Sequence, residues 1–299
     1  MSPQPSQHHL DVPGGTVYYE VRGSGPLLLV IGQPMTSGPF GPLADLLAED
    51  HTVVTYDPHG LGHSTVEDPA LAITPEIEAE DLAHIVDAVG GGPADVFGSS
   101  GGAVAGLALA AEHPEKVTTL IAHEPPVAEL LPDAPYVRTA LDDVEDAYHA
   151  YGAGAAWGKF VSVVMHDGPV TEEGVAPAAW PPAGSDDEDG TAPASENAGD
   201  EAPPEPSEKE MADNEVFFLR MLKPFTRYQP PVEVLRSAGP RVVVAVGAAS
   251  GGEIAARSAR ALAEQLGTPA AMFPGDHGGF MADPAGFAAK IRELLTESR

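Results

Sequence analysis

Two absences narrow what this chain can be. It contains no cysteine, which excludes disulfides, zinc sites built on thiolates and a cysteine nucleophile. Basic residues are scarce, since 15 Lys and Arg stand against 45 Asp and Glu and the formal net charge is −30. A chain this acidic repels nucleic acid and anionic membrane surfaces, so we expect neither as a partner.

Long hydrophobic runs are missing as well. No stretch of about 18 apolar residues occurs, so we expect no transmembrane helix. The N-terminal residues lack the apolar run of a signal peptide, and a cytoplasmic location is the default expectation. The chain has 299 residues, 43% of them hydrophobic. That is enough to bury a large core in one domain, or in one domain with a subdomain.

The negative charge is concentrated in one segment. Residues 167–215 carry fifteen acids and a single base, Lys209. Within this segment, Gly168–Asn214 is rich in Pro, Gly, Ala, Ser, Asp and Glu and has too little apolar surface to fold alone. We interpret it as a flexible insertion, and a structured acidic lid is the alternative. Its acids lack the spacing of a calcium loop, so we expect no metal site.

Strand and helix patterns alternate at both ends of the chain. Short apolar or β-branched runs predict strands, and amphipathic spacing predicts helices between them. The predicted strands are Thr16–Arg22, Leu27–Ile31, Thr52–Tyr56, Ala94–Phe97, Val117–Ala122, Arg241–Val246 and Pro269–Phe273. The predicted helices are Phe40–Glu49, Glu76–Val89, Ala103–Glu112, Glu253–Leu266 and Pro284–Thr296. This alternation predicts an α/β fold in which helices cover both faces of a mostly parallel sheet.

The alternation stops in the middle of the chain. Residues 127–235 show helical patterns but no convincing buried strand. We therefore predict a core domain from residues 1–126 and 236–299, and an inserted, mainly helical cap from residues 127–235 that contains the acidic insertion. The helices predicted in the cap are Val137–Tyr151, Ala155–Met165 and Glu215–Leu222.

The sharpest chemical signal is the segment Gly98–Gly102 (GSSGG), which fits the pattern G-x-S-x-G between a predicted strand and a predicted helix. On such a turn the serine is lifted out of the sheet, and its neighbours must be small because side chains would collide with adjacent backbone. The N–H groups at the start of the helix favour a developing anion. We predict Ser100 as a nucleophile. The alternatives are a Gly/Ser-rich loop and a phosphate-binding turn, although the lysine of a Walker loop is absent.

A serine hydroxyl is a weak nucleophile and needs a base. Of the eleven histidines, His277 is the best candidate because it follows the last predicted strand on a Gly-rich turn before the closing helix. That position puts it at the same carboxyl edge of the sheet as Ser100. A loop histidine without a role is the alternative, and His8 and His9 look like exposed tail residues.

Four segments together resemble the α/β-hydrolase superfamily over essentially the whole chain apart from the insertion. Leu28–Pro34 is similar to a strand and loop that usually read L-H-G-x-P, and Asp57–Ser64 is similar to a D-x-R-G-x-G-x-S loop. The G-x-S-x-G segment and the G-x-H-x-x-F stretch around His277 complete the set. Ile31 replaces the usual His and His59 the usual Arg, and we expect both changes to alter loop packing rather than abolish chemistry.

The resemblance implies an oxyanion hole and a third catalytic residue. The backbone N–H groups of Gln33 and Gly101 would bind the oxyanion. In such sites these donors contribute several kcal/mol to stabilising the tetrahedral intermediate. The Gln33 side chain either touches the substrate or only braces its loop.

The acid member of the catalytic set is not where most of the superfamily places it. The usual Asp site lies near Ser250, and no Asp is present there. A second placement known in the superfamily is the loop after the strand that follows the elbow helix, and Glu124 stands there. Glu253, which we expect to begin a helix, and a missing or unusual acid are the alternatives. Asp276 adjoins His277 in sequence, so we expect its side chain to point elsewhere.

These residues predict a serine hydrolase that cleaves an ester or lactone bond of a small, fairly apolar molecule without a cofactor. The relocated acid resembles the arrangement in some lactone-cleaving members, such as zearalenone hydrolases. Side chains of the cap would line the substrate pocket or form the cap's own core: Trp157, Phe160, Met165, Phe217, Phe218, Met221 and Phe225.

Other functions share this fold and these residues. A carbon–carbon bond hydrolase, a perhydrolase, a cofactor-free dioxygenase and a non-catalytic small-molecule binding relative all remain open. A dehalogenase or epoxide hydrolase would need Asp in place of Ser100. Nothing in the sequence specifies an oligomeric state.

Overall fold

In the computed structural model, which describes residues 4–176, 206–237 and 239–296, nine strands form one mixed sheet. Eight of them lie side by side in the order β1-β2-β4-β3-β6-β7-β8-β9, and the short β5 pairs with β2. The strands from β4 to β9 along this order pair in parallel, whereas β1 and β2 are antiparallel to their neighbours. The strands are β1 (Ser6–Val12), β2 (Gly15–Gly23), β3 (Leu27–Ile31), β4 (Thr52–Tyr56), β5 (Thr65–Val66), β6 (Ala94–Ser99), β7 (Val117–His123), β8 (Arg241–Gly247) and β9 (Ala271–Phe273).

Helices occupy most of the connections between these strands, as parallel pairing requires. They are α1 (Gly41–Leu47), α2 (Pro75–Val89), α3 (Gly101–Glu112), α4 (Ala134–Tyr151), α5 (Ala153–Val164), α6 (Glu208–Val216), α7 (Leu222–Thr226), α8 (Val232–Ser237), α9 (Ile254–Leu266), α10 (Gly279–Ala282) and α11 (Pro284–Thr296). A π-helical turn, Phe217–Met221, joins α6 to α7. In the described part of the chain, no helix is long and apolar enough to cross a bilayer.

The sheet is covered on both faces, and the strand β3 shows why. All five of its residues are buried. Leu28 and Val30 belong to the core that also includes residues of α1 and α11, whereas their neighbours belong to the core formed with α2, α3 and α9. A strand with apolar contacts on both sides reads as a continuous hydrophobic run, which is what the sequence contains. The predicted α/β fold with a mostly parallel sheet is confirmed.

Two elements differ from the sequence-based expectation. His8 and His9 are exposed, as expected of them, but they belong to the edge strand β1 rather than to a tail. The helix expected to begin at Glu215 begins at Glu208 instead. Its start is a capping box in which the hydroxyl of Ser207 accepts from the backbone N–H of Glu210, while the Glu210 carboxylate accepts from that of Ser207.

The region between β7 and β8 contains α4 to α8, and its described residues contribute no strand to the sheet. The flexible insertion expected at Gly168–Asn214 falls largely on residues 177–205, which lie outside the described residues. Its two ends do have structure. Val170 is buried and its N–H donates to Asp133 (2.7 Å). The other end forms most of α6.

Candidate active site

Ser100 stands on a strained turn between β6 and α3. Its backbone has φ 55° and ψ −125°, a conformation that residues other than glycine rarely adopt. A Cβ atom on Gly98 would lie 2.5 Å from the carbonyl oxygen of Gly102, and one on Gly102 would lie 2.4 Å from that of Ile31. Neither separation is possible for a real side chain, so the two glycines allow the backbone of the turn to approach the neighbouring strand and helix closely.

His277 and Glu124 are joined by a short hydrogen bond. The distance between His277 Nδ1 and Glu124 Oε2 is 2.6 Å. The other carboxylate oxygen, Oε1, accepts from the backbone N–H of Gly247 (2.8 Å). Because an ionised carboxylate can only accept, the bond places a proton on Nδ1 and leaves Nε2 free to act as a base.

The electrostatics of Glu124 favour its charged form. The carboxylate is fully buried, and burial alone would raise its pKa. Burial is the largest single effect, but the lowering effects, led by the hydrogen bond from His277, together outweigh it, and the pKa of Glu124 is lowered from its ordinary value. A buried anion that accepts two hydrogen bonds is suited to orienting the His277 ring and to stabilising it when it becomes positively charged.

The remaining acids near His277 are engaged differently. The side chain of Asp276 accepts from the backbone N–H of Gly278 (3.0 Å). Glu253 immediately precedes α9 and has no hydrogen bond to His277 among the described residues. At the usual acid position, Ser250 is completely buried. The hydrogen-bonding pattern thus favours Glu124 over Glu253 as the partner of His277.

The two residues expected to form the oxyanion hole, Gln33 and Gly101, lie next to each other in space. A Cβ atom on Gly101 would lie 2.7 Å from the carbonyl oxygen of Gln33 and 2.9 Å from its Cβ, so the two backbones are in close contact. The Gln33 amide nitrogen donates to Tyr56 and to Glu78 Oε2 (3.1 Å). The Gln33 side chain is 1% exposed. Its side-chain amide braces the loop, and Gln33 also lines the cavity that contains Ser100, so its contact with the substrate stays a prediction.

A buried polar network behind this loop was not found by the sequence analysis. Glu78 accepts from the hydroxyl of Tyr56 and, through Oε1, from the backbone N–H of His59 (3.0 Å). The ring of His59 pairs with Asp81 at 2.8 Å. Burial, followed by the charge of Asp81, raises the pKa of Glu78 to about 7. His59, which replaces the usual Arg, is thus part of a packing network, in agreement with the expectation for that substitution.

A second histidine, His123, lies close to His277. His123 ends β7, and its ring centroid is 6.3 Å from that of His277. Burial lowers the pKa of His123 to about 4, so the ring is neutral near pH 7. Its Nδ1 is 3.1 Å from the Ser99 hydroxyl. A neutral ring at this point adds no positive charge beside His277.

Ser100 and His277 open into one cavity of about 270 Å³. No hydrogen bond joins their side chains in the described part of the chain, and such bonds are often long in sites without substrate. Six of the seven side chains considered for the substrate pocket or the core of the predicted cap line this cavity: Trp157, Phe160, Met165, Phe217, Met221 and Phe225. Phe218 does not, because it is buried against Tyr148 and Trp157.

The cavity has further walls that the sequence analysis did not single out. Pro34, Met35 and Pro126 belong to loops of the sheet edge, and Val164 and Leu222 belong to α5 and α7. Polar groups are added by Thr226 and Glu253, and the remaining wall is formed by Ile254 and Ala255. No sequence pattern distinguishes these residues from ordinary core or loop positions. Among the described residues, no group of His, Asp and Glu is arranged to hold a metal ion.

Comparisons with known proteins agree with this architecture. A family model described as the alpha/beta hydrolase fold matches residues 25–187, more than half of the chain. An uncharacterized hydrolase of Bacillus subtilis (strain 168), YraK, is 29% identical over 296 residues, which cover 97% of this chain and 96% of the relative.

Two solved structures illustrate the likeness of the fold. A thermophilic esterase from Thermogutta terrifontis has a TM-score of 0.69 at 18% identity and covers 99% of both chains. An enol-lactonase from Burkholderia xenovorans LB400 has a TM-score of 0.59 at 15% identity, covering 97% of this chain and 100% of its own. At these identities the two structures share the fold with this chain, and their activities are their own.

Proposed function

The chain is a hydrolase that belongs to the α/β-hydrolase family, and from that premise we propose that it cleaves an ester or lactone bond of a small, fairly apolar substrate through an acyl-enzyme on Ser100. The observation that carries the proposal is the bond between His277 Nδ1 and Glu124 Oε2, at the same sheet edge as the strained turn of Ser100. It supplies an oriented base for a serine that is already held in the conformation of a nucleophile.

In the proposed reaction the Ser100 oxygen attacks the substrate carbonyl carbon while His277 Nε2 takes the hydroxyl proton. The carbonyl oxygen becomes an anion that accepts from the backbone N–H groups of Gln33 and Gly101. The tetrahedral intermediate collapses, the bond to the leaving oxygen breaks, and His277 returns its proton to that oxygen. Glu124 stays ionised and stabilises the positively charged ring in both steps.

Water completes the cycle. It gives a proton to His277 Nε2 and attacks the acyl carbon, and the second tetrahedral intermediate releases the acid and restores the Ser100 hydroxyl. For a lactone the leaving hydroxyl remains on the same carbon chain as the acyl group in both steps, and the product is a single hydroxy acid. In this scheme the cap, proposed to span residues 127–235, encloses the substrate.

The cavity supports an apolar substrate of limited size. A volume of about 270 Å³ is below the usual range of drug-sized ligand sites, about 300–1,000 Å³. Its wall is built largely from aromatic, methionine and aliphatic side chains of the cap. Burial of an apolar group there contributes roughly 25 cal/mol per Å², which gives binding energy without demanding polar partners.

A serine-directed fluorophosphonate tests the nucleophile. We expect stoichiometric labelling of the folded protein, with the adduct on Ser100 in peptide mass spectra, and no labelling of Ser100→Ala. Ser99→Ala is the matched control because it removes the neighbouring hydroxyl of the same turn, and it should still label. If the folded wild-type protein does not label at Ser100, the proposal is wrong and a non-catalytic binding role is favoured.

Product analysis tests the bond that is cleaved. A panel of short-chain esters and lactones should give an acid and an alcohol, or a single hydroxy acid, with loss of turnover in Ser100→Ala. Labelling of Ser100 without cleavage of any ester or lactone in the panel would instead favour a carbon–carbon bond hydrolase or a perhydrolase.

A further inference from the structure

Glu253 introduces a carboxylate into the wall of an otherwise largely apolar cavity. It is the one acid among the described residues that line this cavity, and it shares the wall with Ser100 and His277. The residue sits in the loop between β8 and α9, at the sheet edge from which Glu124 and His277 also project. Its position next to the reacting groups requires an explanation, because burying a charge in such a wall is unfavourable.

A role as helix cap does not account for this side chain. Glu253 is the N-cap residue of α9, but its carboxylate makes no hydrogen bond to the backbone of that helix. Within residues 4–176, 206–237 and 239–296 its carboxylate makes no hydrogen bond and no ion pair. It is only partly buried, so it can meet a ligand that enters the cavity.

The two arginines of α9, the helix that Glu253 precedes, are committed to other groups. Arg257 pairs with Asp133 and donates to the carbonyl oxygen of Gly168 (2.8 Å). Arg260 donates to the carbonyl oxygen of Gly251 (2.7 Å). Neither cation is available to neutralise Glu253, so its charge faces the cavity without a counter-ion from the described residues.

Three of the four charged groups that act on Glu253 are carboxylates, and the fourth is His277. Burial raises the pKa of Glu253, and the negative charges of Glu124, Asp276 and Asp167 raise it further, while His277 lowers it. An anionic group that approached this wall would experience repulsion from several carboxylates in a poorly solvated space, whereas a cation would be attracted.

We propose that Glu253 selects substrates by charge: the site takes neutral and, preferentially, ammonium-bearing esters or lactones and rejects those that carry a carboxylate near the scissile bond. This inference rests on the proposed ester or lactone hydrolysis and adds the chemical class of the substrate. An ammonium group would form an ion pair with the Glu253 carboxylate, while the apolar remainder packs against the aromatic wall of the cap.

The test compares three nitrophenyl esters whose acyl chains have equal length and end in an ammonium, a methyl or a carboxylate group. Near pH 8 we expect the wild type to show the highest kcat/KM on the ammonium ester and the lowest on the carboxylate ester. In Glu253→Gln the ratio of these two values should fall about tenfold or more. Glu264→Gln, which removes an exposed charge from the same helix, is the matched control and should keep the wild-type ratio.

A binding measurement separates this inference from the proposed reaction. Calorimetric titration of Ser100→Ala with an alkylammonium ion and an alkanoate of equal chain length should show tighter binding of the ammonium ion, and Ser100→Ala/Glu253→Gln should lose that preference. If the wild type cleaves none of the three esters, the proposed function fails and the titrations still decide on charge selection. Charge selection by Glu253 would be overturned if Ser100→Ala bound both ions equally. It would also be overturned if the ratio of kcat/KM values changed equally in Glu253→Gln and Glu264→Gln.

Discussion

Ser100 and Glu124 share an unusual backbone conformation. In the described part of the chain they are the two non-glycine residues with positive φ, 55° for Ser100 and 49° for Glu124. Each such conformation costs about 1–3 kcal/mol and persists only where its surroundings enforce it. Here the N–H of Ser100 donates to the carbonyl of His123 (2.9 Å) and that of Glu124 to the carbonyl of Ala245 (3.0 Å). Strain is thus located at two of the three residues that we propose for the reaction.

Replacing Glu124 by Gln tests its role as the catalytic acid, because it exchanges one carboxylate oxygen for an NH₂ group. Both carboxylate oxygens of Glu124 accept hydrogen bonds, from Gly247 N–H and from His277. A glutamine has one oxygen and one NH₂ group, so one of these donors would face another donor, or the His277 ring would adopt the wrong tautomer. We expect kcat on a neutral ester to fall by about 10³–10⁴, with a much smaller change in KM.

Asp276→Asn is the control for that measurement, because it neutralises the acid next to His277 in sequence while leaving an oxygen to accept from Gly278 N–H. Its kcat should stay within about threefold of the wild type. A greater loss of kcat in Asp276→Asn or in Glu253→Gln than in Glu124→Gln would contradict the assignment of Glu124.

At the scale of the element, α2 combines an apolar face with two buried acids. Leu82, Ile85 and Val86 are buried as the sequence pattern predicts, but Glu78 and Asp81 are buried as well, at 0% and 1% exposure. They can be accommodated because each accepts hydrogen bonds from outside the helix, Glu78 from Tyr56, Gln33 and the backbone of His59. The helix thereby connects the loop of Gln33 to the core.

Glu78 gives α2 a pH-dependent contribution to stability. Its pKa is about 7 in the folded protein against an ordinary value of 4.5. Between these values the folded state holds the proton more tightly than the unfolded state, so the free energy of unfolding decreases as pH rises through this window. We expect Glu78→Gln to remove a decrease on the order of 2–3 kcal/mol between about pH 5 and pH 8, measured by urea unfolding.

Glu76→Gln provides the comparison on the same helix, since Glu76 is exposed in its first turn. It should keep the wild-type dependence of unfolding free energy on pH. If Glu78→Gln instead shows the same pH dependence as the wild type, the Glu78 carboxyl is not protonated preferentially in the folded state.

The whole molecule carries far more acid than its base content can pair. With 45 acidic and 15 basic residues, the net charge of −30 acts against the compact state through repulsion between like charges. Bases in the described residues are used in ion pairs such as Arg292 with Asp50 and Lys223 with both Asp142 and Glu145. Exposed pairs of this kind contribute little each, so the unpaired acids dominate the response to salt.

Salt should therefore stabilise the protein. Raising NaCl from about 10 mM to about 300 mM shortens the Debye length from roughly 30 Å to below 8 Å and screens the repulsion. We expect Tm near pH 8 to rise by several degrees in scanning calorimetry, and the rise to shrink near pH 5, closer to the pI of about 4.4. A decrease of Tm with added salt near pH 8 would indicate that ion pairs outweigh the net repulsion.

Local patterns in the sequence predicted most of the strands and helices correctly. Where a prediction failed, the cause can be identified. Thr52–Tyr56 and Pro284–Thr296 agree with the structure residue for residue, because a fully buried strand and a proline-initiated helix are encoded by their own composition. The strand β1 was missed because it is an exposed edge whose residues carry no alternating apolar pattern. The early start of α6 was missed although Ser207 and Glu210 have the spacing of a capping box.

The residues of the candidate site also divide into those that local sequence patterns predicted and those that they did not. Ser100 and its glycines form a local motif, and the position of His277 after the last strand places it at the same sheet edge. The network of Gln33, Glu78 and His59 has no sequence signature, because its members come from different elements and each one alone resembles an ordinary polar residue. Phe218, for which pocket lining and core packing were both considered, is buried away from the cavity, because hydrophobicity does not encode which side of a helix meets a cavity.

The sequence by itself predicted the α/β fold and the turn that carries Ser100, because the alternating strand and helix patterns and the G-x-S-x-G motif are each contained in short segments of the chain. It favoured Glu124 as the partner of His277, with Glu253 and a missing or unusual acid as alternatives. Only the tertiary structure distinguished them, since the parallel pairing of β7, β8 and β9 brings Glu124 within 2.6 Å of a ring 153 positions later in the chain. The same packing left Glu253 unpaired in the cavity wall, where its charge faces whatever the site binds.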